Sequence, residues 1–286
     1  MPRGVRREEE QMIKGEKRKM LGSVILLSFF TAVMIPVMAG AADDPKARAI
    51  MEKVDARDDG DNGLSDMQMT LIDKHGSKRV REIRARMKDF GKDTYRIMFF
   101  ISPPDVKDTG FLTYDFDDPA KDDDQWLYLP ALRKTKRIAS SDKSGSFMGS
   151  DFNYSDMTSR NLTDYDYTML KEDEVDGKKV WLIQALPRTK KVIDETGYTK
   201  SVLFVRQDNY VVIRAVSWVS ESDRLKYMEV TKLELIDKTW VATELQMTTK
   251  QGKITLHKTI LSYSNVKFNQ QHSPDLFTVR RLEKGL

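Results

Sequence analysis

The acidic residues near position 60 are spaced in a way that suggests calcium binding. The run Asp58-Asp59-Gly60-Asp61-Asn62-Gly63 offers several carboxylate and amide oxygens, as an EF-hand loop does. If Gly63 is aligned with the glycine of such a loop, Gly60 falls at the third ligand and Met69 at the twelfth, so two ligands are missing. The run therefore predicts a tight turn, and no metal site is expected there.

Serine and aspartate occur in patterns that approach those of hydrolases. Gly145-Ser146-Phe147-Met148-Gly149 is close to a nucleophile elbow, but its serine stands one position too early. Asp151 and Asp156 could pair as an acid and a base, or could lie separately in a polar loop. Because neither pattern is complete, we predict that the protein is not an enzyme.

Metal and redox chemistry have few candidate ligands in this chain. There is no cysteine, which excludes disulfides, thiolate zinc sites, iron–sulfur clusters and cysteine nucleophiles. His75, His257 and His272 are far apart in sequence and are expected at exposed positions. We therefore predict no metal site and no cofactor.

The net charge of the chain is small and lies mainly in its leader. The sequence has 48 Lys plus Arg and 44 Asp plus Glu, of which seven basic and four acidic residues precede position 42. Lys17 to Lys19 are followed by an uncharged stretch from Met20 to Ala39 and by Ala39-Gly40-Ala41, which is typical of a secretory signal. The stretch is also long enough to span a bilayer, so an uncleaved inner-membrane anchor is the alternative. We predict a signal peptide at 1–41, one domain at 42–286 and a periplasmic location.

A basic run follows the aromatic segment Trp126-Leu127-Tyr128-Leu129-Pro130. In a nearly neutral exported protein, such a run favours anionic lipid headgroups or an acidic partner over nucleic acid. A solvated strand end is the other interpretation. The candidate contact residues in the run are Arg133, Lys134 and Arg137.

Hydrophobic periodicity predicts one helix followed by many strands. Apolar residues recur at helical spacing between Lys46 and Val54, and from Leu64 onward the period is two. Short turns such as Asp176-Gly177 force antiparallel neighbours, and the longer segments 103–124 and 138–163 could cover one opening of the curled sheet. The prediction is a mainly β fold, a half-open antiparallel barrel with about eleven strands near 64–73, 79–89, 93–102, 125–132, 164–172, 179–186, 201–207, 210–220, 225–236, 240–249 and 253–263.

Several predicted strands are apolar on both faces. In the stretches 95–101 and 211–219, either a helix packs on the second face or the sheet has a concave apolar surface that holds a ligand. Ten methionines follow residue 41, and their flexible side chains suit an adaptable lining. Strand parity selects the candidate lining residues Ile97, Phe99, Leu127, Leu129, Val205, Val216 and Trp218.

The central third of the chain resembles the outer membrane lipoprotein-sorting proteins, which are LolA/LolB-like. The matching motifs are Phe100–Asp105, Thr109–Leu112, Trp126–Lys134, Arg137-Ile138 and Ser146–Phe152, and the resemblance extends to about Phe277. It implies a half-open β-barrel with helices over its mouth and an apolar interior for acyl chains.

Two functional hypotheses follow from the pattern and the resemblance. The first is a periplasmic carrier or chaperone that binds the acyl chains of a lipoprotein or lipid in the concave face. It would deliver them toward the outer membrane, with a transporter of the resistance–nodulation–division (RND) type as a candidate partner. The second is an accessory or sensor subunit that binds an envelope transporter or signalling protein through the same sheet.

Overall fold

The computed structural model describes residues 43–285, which contain thirteen strands and three α-helices. The predicted signal peptide lies outside the described residues. The helices are α1 (Pro45–Asp55), α2 (Lys190–Thr196) and α3 (Val279–Lys284). The strands are β1 (Leu64–Asp73), β2 (Lys78–Phe90), β3 (Asp93–Ser102), β4 (Gly110–Asp115), β5 (Asp124–Leu129), β6 (Lys134–Arg137), β7 (Tyr165–Val175), β8 (Lys178–Pro187), β9 (Tyr198–Arg206), β10 (Val212–Val219), β11 (Arg224–Ile236), β12 (Thr239–Gln251) and β13 (Ile254–Lys267).

All thirteen strands belong to one antiparallel sheet, in the order β6-β5-β4-β3-β2-β1-β13-β12-β11-β10-β9-β8-β7. At its centre β1 pairs with both β2 and β13, so that Met69 lies opposite Arg81 on one side and Leu261 on the other. The edge strands β6 and β7 do not pair, which leaves the barrel half-open. The predicted fold class is confirmed, and each of the eleven predicted strands is present.

Two strands were missed because they lack the alternation that identifies a strand. β6 is only four residues long and consists of Lys, Thr, Lys and Arg. β4 lies within 103–124, which was expected to be a long interruption, and its six residues begin with glycine. Both strands pair with β5 and extend the sheet at that edge.

Residues 138–164, here called the crossing segment, connect the two edge strands. Because β6 and β7 lie at opposite edges, this segment runs across one face of the sheet, which we call the inner face. It contains four short 3₁₀ turns: Ser140–Asp142, Phe147–Gly149, Tyr154–Met157 and Leu162–Asp164.

Helix α1 also packs on the inner face. Its first turn is capped by Asp44, whose carboxylate accepts the N–H of Lys46 at 2.9 Å, and proline occupies the first helical position. Ile50 and Met51 are buried against a cluster that includes Ile183 of β8 and Val205 of β9. The helix predicted between residues 46 and 54 is therefore confirmed.

The edge of β7 is partly covered by the two residues that precede α1. Tyr167 N–H donates to the Asp43 carboxylate at 2.8 Å, and Tyr167 C=O accepts the N–H of Asp44 at 2.7 Å. The Asp44 side chain also accepts the N–H of Met169 at 3.2 Å. Backbone groups that would otherwise be open to another strand are thus bound within the chain.

The C-terminal residues cover the outer face of β3 and β4. Phe277 and Leu282 are buried against Ile97, Phe99 and Leu112. This contact explains why β3 is apolar on both faces: a helix packs on the second one. Gly110 starts β4, where a Cβ atom would lie 2.6 Å from Leu282 Cδ1, so any larger residue would require Leu282 of α3 to shift.

None of the helices within residues 43–285 is long and apolar enough to cross a membrane. The longest, α1, has 11 residues.

Replacing Leu282 by alanine should destabilise the fold, because this side chain is 0% exposed between α3 and the sheet. We expect the free energy of unfolding to fall by about 2–5 kcal/mol, measured by urea denaturation. Leu132→Ala is the control: that side chain is 62% exposed, and its removal should change stability by less than about 0.5 kcal/mol. Equal effects of the two substitutions would contradict the packing of α3.

Candidate ligand-binding site

Methionine and aromatic side chains form the central part of the inner face. Met67 and Met69 of β1, Met98 of β3 and Met247 of β12 are buried in one cluster with Phe147 of the crossing segment. Alternation along each strand brings these side chains to the same face. The cluster is therefore shared between the sheet and the segment that crosses it.

A cavity of about 340 Å³ remains between the sheet and the crossing segment. This volume is at the lower end of the roughly 300–1,000 Å³ found for ligand pockets. Five methionines line it, and the polar contribution to the wall includes Arg96 and Asp156. The apolar lining consists of Leu64, Met67, Met69, Ala85, Met87, Met98, Phe147, Phe152, Met157, Leu245, Leu261, Tyr263, Val266 and Phe268.

A second depression, of about 460 Å³, lies at the sheet edge beside β5 and β6. It is more open to solvent, and its wall includes Lys136, Asp142 and two serines as well as Leu127 and Ile138. An open groove with charged walls provides little shelter for an apolar ligand, so the inner cavity is the candidate site.

Phe147 places the middle of the crossing segment in the core. It is 0% exposed, and its ring centroid lies 4.9 Å from that of Phe111 and 5.6 Å from that of Tyr154. The turn that follows is closed by a hydrogen bond from Phe147 N–H to Phe152 C=O at 2.7 Å. Arg81 of β2 donates to the Met148 carbonyl at 2.5 Å, which holds the turn against the sheet.

Asp151 binds the crossing segment to the centre of the sheet. Its carboxylate accepts the hydroxyls of Thr249 at 2.5 Å and Thr259 at 2.7 Å, and lies 2.6 Å from His257 Nδ1. The Asp151 N–H donates in turn to the Thr259 hydroxyl at 3.0 Å. With Asp151 only 4% exposed, this network is a buried polar anchor between the segment and strands β12 and β13.

A second buried anchor lies closer to β9 and β11. Lys226 Nζ donates to the Asn153 side chain at 2.6 Å, and the Asn153 N–H donates to Asp156 at 2.7 Å. The Tyr198 hydroxyl donates to the same Asp156 carboxylate at 2.9 Å. Burial raises the pKa of Asp156 and lowers that of Lys226, while the attraction between the two charges opposes both shifts.

Asp151 and Asp156, considered as an acid–base pair, therefore have different partners. Asp151 is bound to strands β12 and β13, whereas Asp156 is bound to Tyr198 of β9 and to its own segment. Both carboxylates hold the crossing segment in place, which gives each a structural role.

The loop between β4 and β5 brings two aspartates together beside the crossing segment. Asp123 accepts the N–H of Phe116 at 3.0 Å, and Asp115 accepts the N–H of Ser159 at 2.7 Å. Burial, with a contribution from the nearby Asp115 charge, raises the pKa of Asp123 from 3.8 to about 6. Folding therefore disfavours the ionised form of Asp123 relative to the unfolded chain.

The three histidines lie in different environments. His75 is exposed in a turn, whereas His257 and His272 are half-buried, and His257 belongs to the Asp151 anchor. The acidic run near residue 60 forms a turn in which Asp58 accepts the N–H of Gly60 at 3.0 Å. No group of three or more metal-ligating side chains with suitable geometry occurs among residues 43–285.

Three of the seven residues selected by strand parity lie on the inner face. Leu127 and Leu129 of β5 belong to the cluster around Phe147. Val205 of β9 is 0% exposed beneath α1. None of these three lines the 340 Å³ cavity.

The other four lie on the outer face. Ile97 and Phe99 are covered by the C-terminal residues. Val216 and Trp218 alternate with Ala215, which packs on the inner face, and Lys200 Nζ lies 4.0 Å from the Trp218 ring centroid. Ligand contact at any of the seven stays a prediction.

The three predicted contact residues differ in their ion pairing. Arg133 and Lys134 are exposed and form no ion pair within residues 43–285, and they follow the exposed Leu132 at the tip between β5 and β6. Arg137, by contrast, donates through Nε to Asp124 at 2.9 Å. The unpaired Arg133 and Lys134 and the paired Arg137 therefore lie at opposite ends of β6.

The sequence predicts the methionine-rich composition of the cavity lining but not the individual residues that form it. Met67, Met69 and Leu71 alternate in β1 with more polar residues, which is a period-two signal for the inner face. Four of the predicted lining residues instead lie in β3 and β10, two strands that are apolar on both faces.

Comparison with known proteins identifies relatives over most of the chain. A family model described only as an uncharacterized protein matches residues 92–284. A solved domain assigned to the outer membrane lipoprotein-sorting proteins, from Vibrio parahaemolyticus, is 30% identical, with a TM-score of 0.75, and the match covers 83% of this chain and 98% of that one. No curated protein sequence gives a significant match.

Two further solved structures have the same fold. A DUF1329 family protein from Desulfovibrio piger is 28% identical, with a TM-score of 0.76, over 84% of this chain and 99% of that one. A LolA superfamily protein from Nitrosomonas europaea is 18% identical, with a TM-score of 0.62, over 82% and 98%. At that lower identity the similarity concerns the fold alone.

Asp151→Asn should loosen the crossing segment, because an amide cannot accept three hydrogen bonds as well as a carboxylate does. We expect a loss of about 2–3 kcal/mol in the free energy of unfolding, measured by urea denaturation. Asp142→Asn is the matched control: its carboxylate is half-exposed and lies 3.2 Å from Lys136, a surface pair that contributes at most about 1 kcal/mol. If the two variants were equally stable, the Asp151 network would not be an anchor.

Asp123→Asn should stabilise the protein at neutral pH. The folded-state pKa is raised, so stability from this group is present below about pH 4 and is lost as the pH rises through about 6. We expect the variant to gain up to about 2 kcal/mol at pH 7.5, allowing for partial solvent access, and to lose most of that advantage at pH 4. Thermal unfolding at both values tests this, with the exposed Asp118→Asn as the control that should show no pH-dependent gain.

Proposed function

This chain belongs to the LolA-like family of outer membrane lipoprotein-sorting proteins, and we propose that it is a periplasmic carrier for the acyl chains of a lipoprotein or lipid. The observation that carries the proposal is the methionine-lined cavity between the sheet and the crossing segment. A carrier of this kind needs no catalytic group, since it binds and releases its cargo unchanged.

The chemistry of the cavity wall supports an acyl ligand. Methionine side chains have three rotatable bonds and a polarizable sulfur, and they adapt to irregular apolar shapes. Each buried CH₂ contributes about 0.8 kcal/mol, so about ten would give roughly 8 kcal/mol before the cost of association. At 340 Å³ the cavity suits part of one chain, and a larger cargo requires the crossing segment to move.

The anchors of the crossing segment suit such a movement. Asp151, Asn153 and Asp156 bind the sheet through hydrogen bonds, which water can replace when the segment moves away. Once displaced, the segment would uncover the inner-face cluster for a long or branched cargo.

Delivery of the cargo toward the outer membrane is a further part of the proposal. Arg133 and Lys134, exposed beside Leu132, are the proposed contact to lipid headgroups or to a partner protein. An RND-type transporter remains the proposed partner on the inner-membrane side, and its co-purification with the protein would test that step.

Native mass spectrometry of protein purified from its own envelope tests the carrier directly. A bound species with the mass of a lipid or an acylated peptide is expected. Protein that is free of ligand and that also takes up no fluorescent lipid would refute the proposal. Co-purification of a membrane protein without lipid would instead favour an accessory or sensor subunit.

Ala85→Phe should block the site, because residue 85 lines the cavity and a benzyl group would fill it. We expect uptake of a fluorescent fatty acyl probe to weaken at least about tenfold, while the melting temperature stays within a few degrees. Ala131→Phe is the matched control at an exposed position, where the same change should leave uptake unaltered. Normal uptake by the Ala85 variant would show that the cargo binds elsewhere.

A further inference from the structure

Three of the five large apolar side chains that are exposed within residues 43–285 lie at one end of the sheet. They are Val80, Leu132 and Ile254, which are 43%, 62% and 64% exposed. The end is shared because β1 and β5 run in the same direction and β13 starts where β1 finishes. The turns β1–β2, β5–β6 and β12–β13 therefore project together, and we call them the three tips.

Each of these apolar residues has a cation as a direct neighbour in the chain. Arg79 precedes Val80 and Lys253 precedes Ile254, while Leu132 is followed at once by Arg133 and Lys134. Each of these four cations is exposed, and none forms an ion pair within the described residues.

Further cations surround the tips and outnumber the acids there. Lys74, Lys78 and Lys258 form no ion pair within residues 43–285 either. The acidic side chains near the tips include Asp73, Glu82, Asp105 and Asp108, together with Asp223, which accepts hydrogen bonds from Gln251 beside the β12–β13 turn. Asp73 already accepts the backbone N–H groups of His75 and Ser77. Cations therefore outnumber acids around the tips, in a protein whose charges otherwise nearly balance.

At the opposite end of strands β1–β5, acidic side chains predominate. There Asp89 is the penultimate residue of β2, Asp93 begins β3 and Asp115 ends β4, with Asp117 and Asp118 just beyond. The charge of this half of the sheet is therefore polarised along the strands, so an anionic surface would attract the end with the three tips.

We propose that the three tips dock on an anionic phospholipid surface, with Val80, Leu132 and Ile254 entering the headgroup region. An apolar side chain beside a lysine or arginine is suited to such an interface, since the apolar group enters and the cation binds lipid phosphate. At about 4.8 Å per strand the tips span roughly 30 Å of arc, which fits a broad surface better than a single small ligand. The docking extends the headgroup contact named for Arg133 and Lys134 in the proposed function, but it does not depend on cargo in the cavity.

Co-sedimentation with vesicles of phosphatidylcholine, with or without one quarter phosphatidylglycerol, tests the proposal. The wild-type protein should bind the anionic vesicles and lose binding as salt is raised, since the Debye length falls to about 3 Å at 1 M. Lys78→Glu with Arg79→Glu should weaken binding at least about tenfold. The matched control is Lys178→Glu with Lys179→Glu, two exposed lysines at the opposite end of the sheet, which should bind as the wild type does.

A second pair of variants tests the apolar contribution. Ile254→Ser should weaken vesicle binding several-fold, whereas Leu235→Ser should not, although Leu235 is also 56% exposed. Equal binding to both vesicle types, absence of binding, or equal effects at the two ends of the sheet would overturn the proposal, and absence of binding would point to an acidic protein partner. Uptake of the fluorescent acyl probe by the same variants separates the two proposals, since loss of docking should leave uptake intact.

Discussion

The pairing of β1 with β13 is the constraint from which the rest of the architecture follows. It brings a strand from the beginning of the domain and one from its end to the middle of the sheet, so the strands between them must spread outward to two edges. β6 and β7 are consecutive strands, yet they finish as far apart as the sheet allows. The chain must therefore run across the inner face between them. The crossing segment is the consequence, and the cavity is the space left where its side chains do not fill the curve of the sheet.

How that segment is held is as important as where it runs. Phe147 supplies the apolar contact, but the position of the backbone is set by polar groups: Arg81 on the Met148 carbonyl, Asp151 on two threonines and Lys226 on Asn153. A buried hydrogen bond is directional, and its net contribution is only about 1 kcal/mol because water offers an alternative partner. A cover attached in this way has a defined closed position and a modest cost of opening, which is the balance that a carrier needs between retention and release.

The sequence supported the class of fold well because that class depends on local signals. Alternation, short turns such as Asp176-Gly177 and the period of α1 are all readable within about ten residues. β6 could not be predicted, since Lys-Thr-Lys-Arg has no apolar face.

Strand parity does not identify the residues that line the cavity, for a different reason. Ile97 and Phe99 are as apolar as Met98, and only the packing of Phe277 and Leu282 on the outer face distinguishes the two parities. Likewise, Asp151 was seen as a candidate acid, but its partners Thr249, His257 and Thr259 lie about a hundred residues away. Contacts of that range are set by strand order, which no local pattern records.

The covered edge of β7 has a consequence for how the protein behaves in a crowded compartment. An open sheet has two rows of unpaired backbone groups, and either row could recruit a strand from another molecule and begin a fibre. In this chain one edge is a four-residue strand with three positive charges, which repels its own copy. At the other edge, Asp43 and Asp44 bind backbone groups of Tyr167 and Met169 near the start of β7. These features limit how much of the sheet's margins is available for pairing with another copy, and Asp43 and Asp44 contribute to that protection.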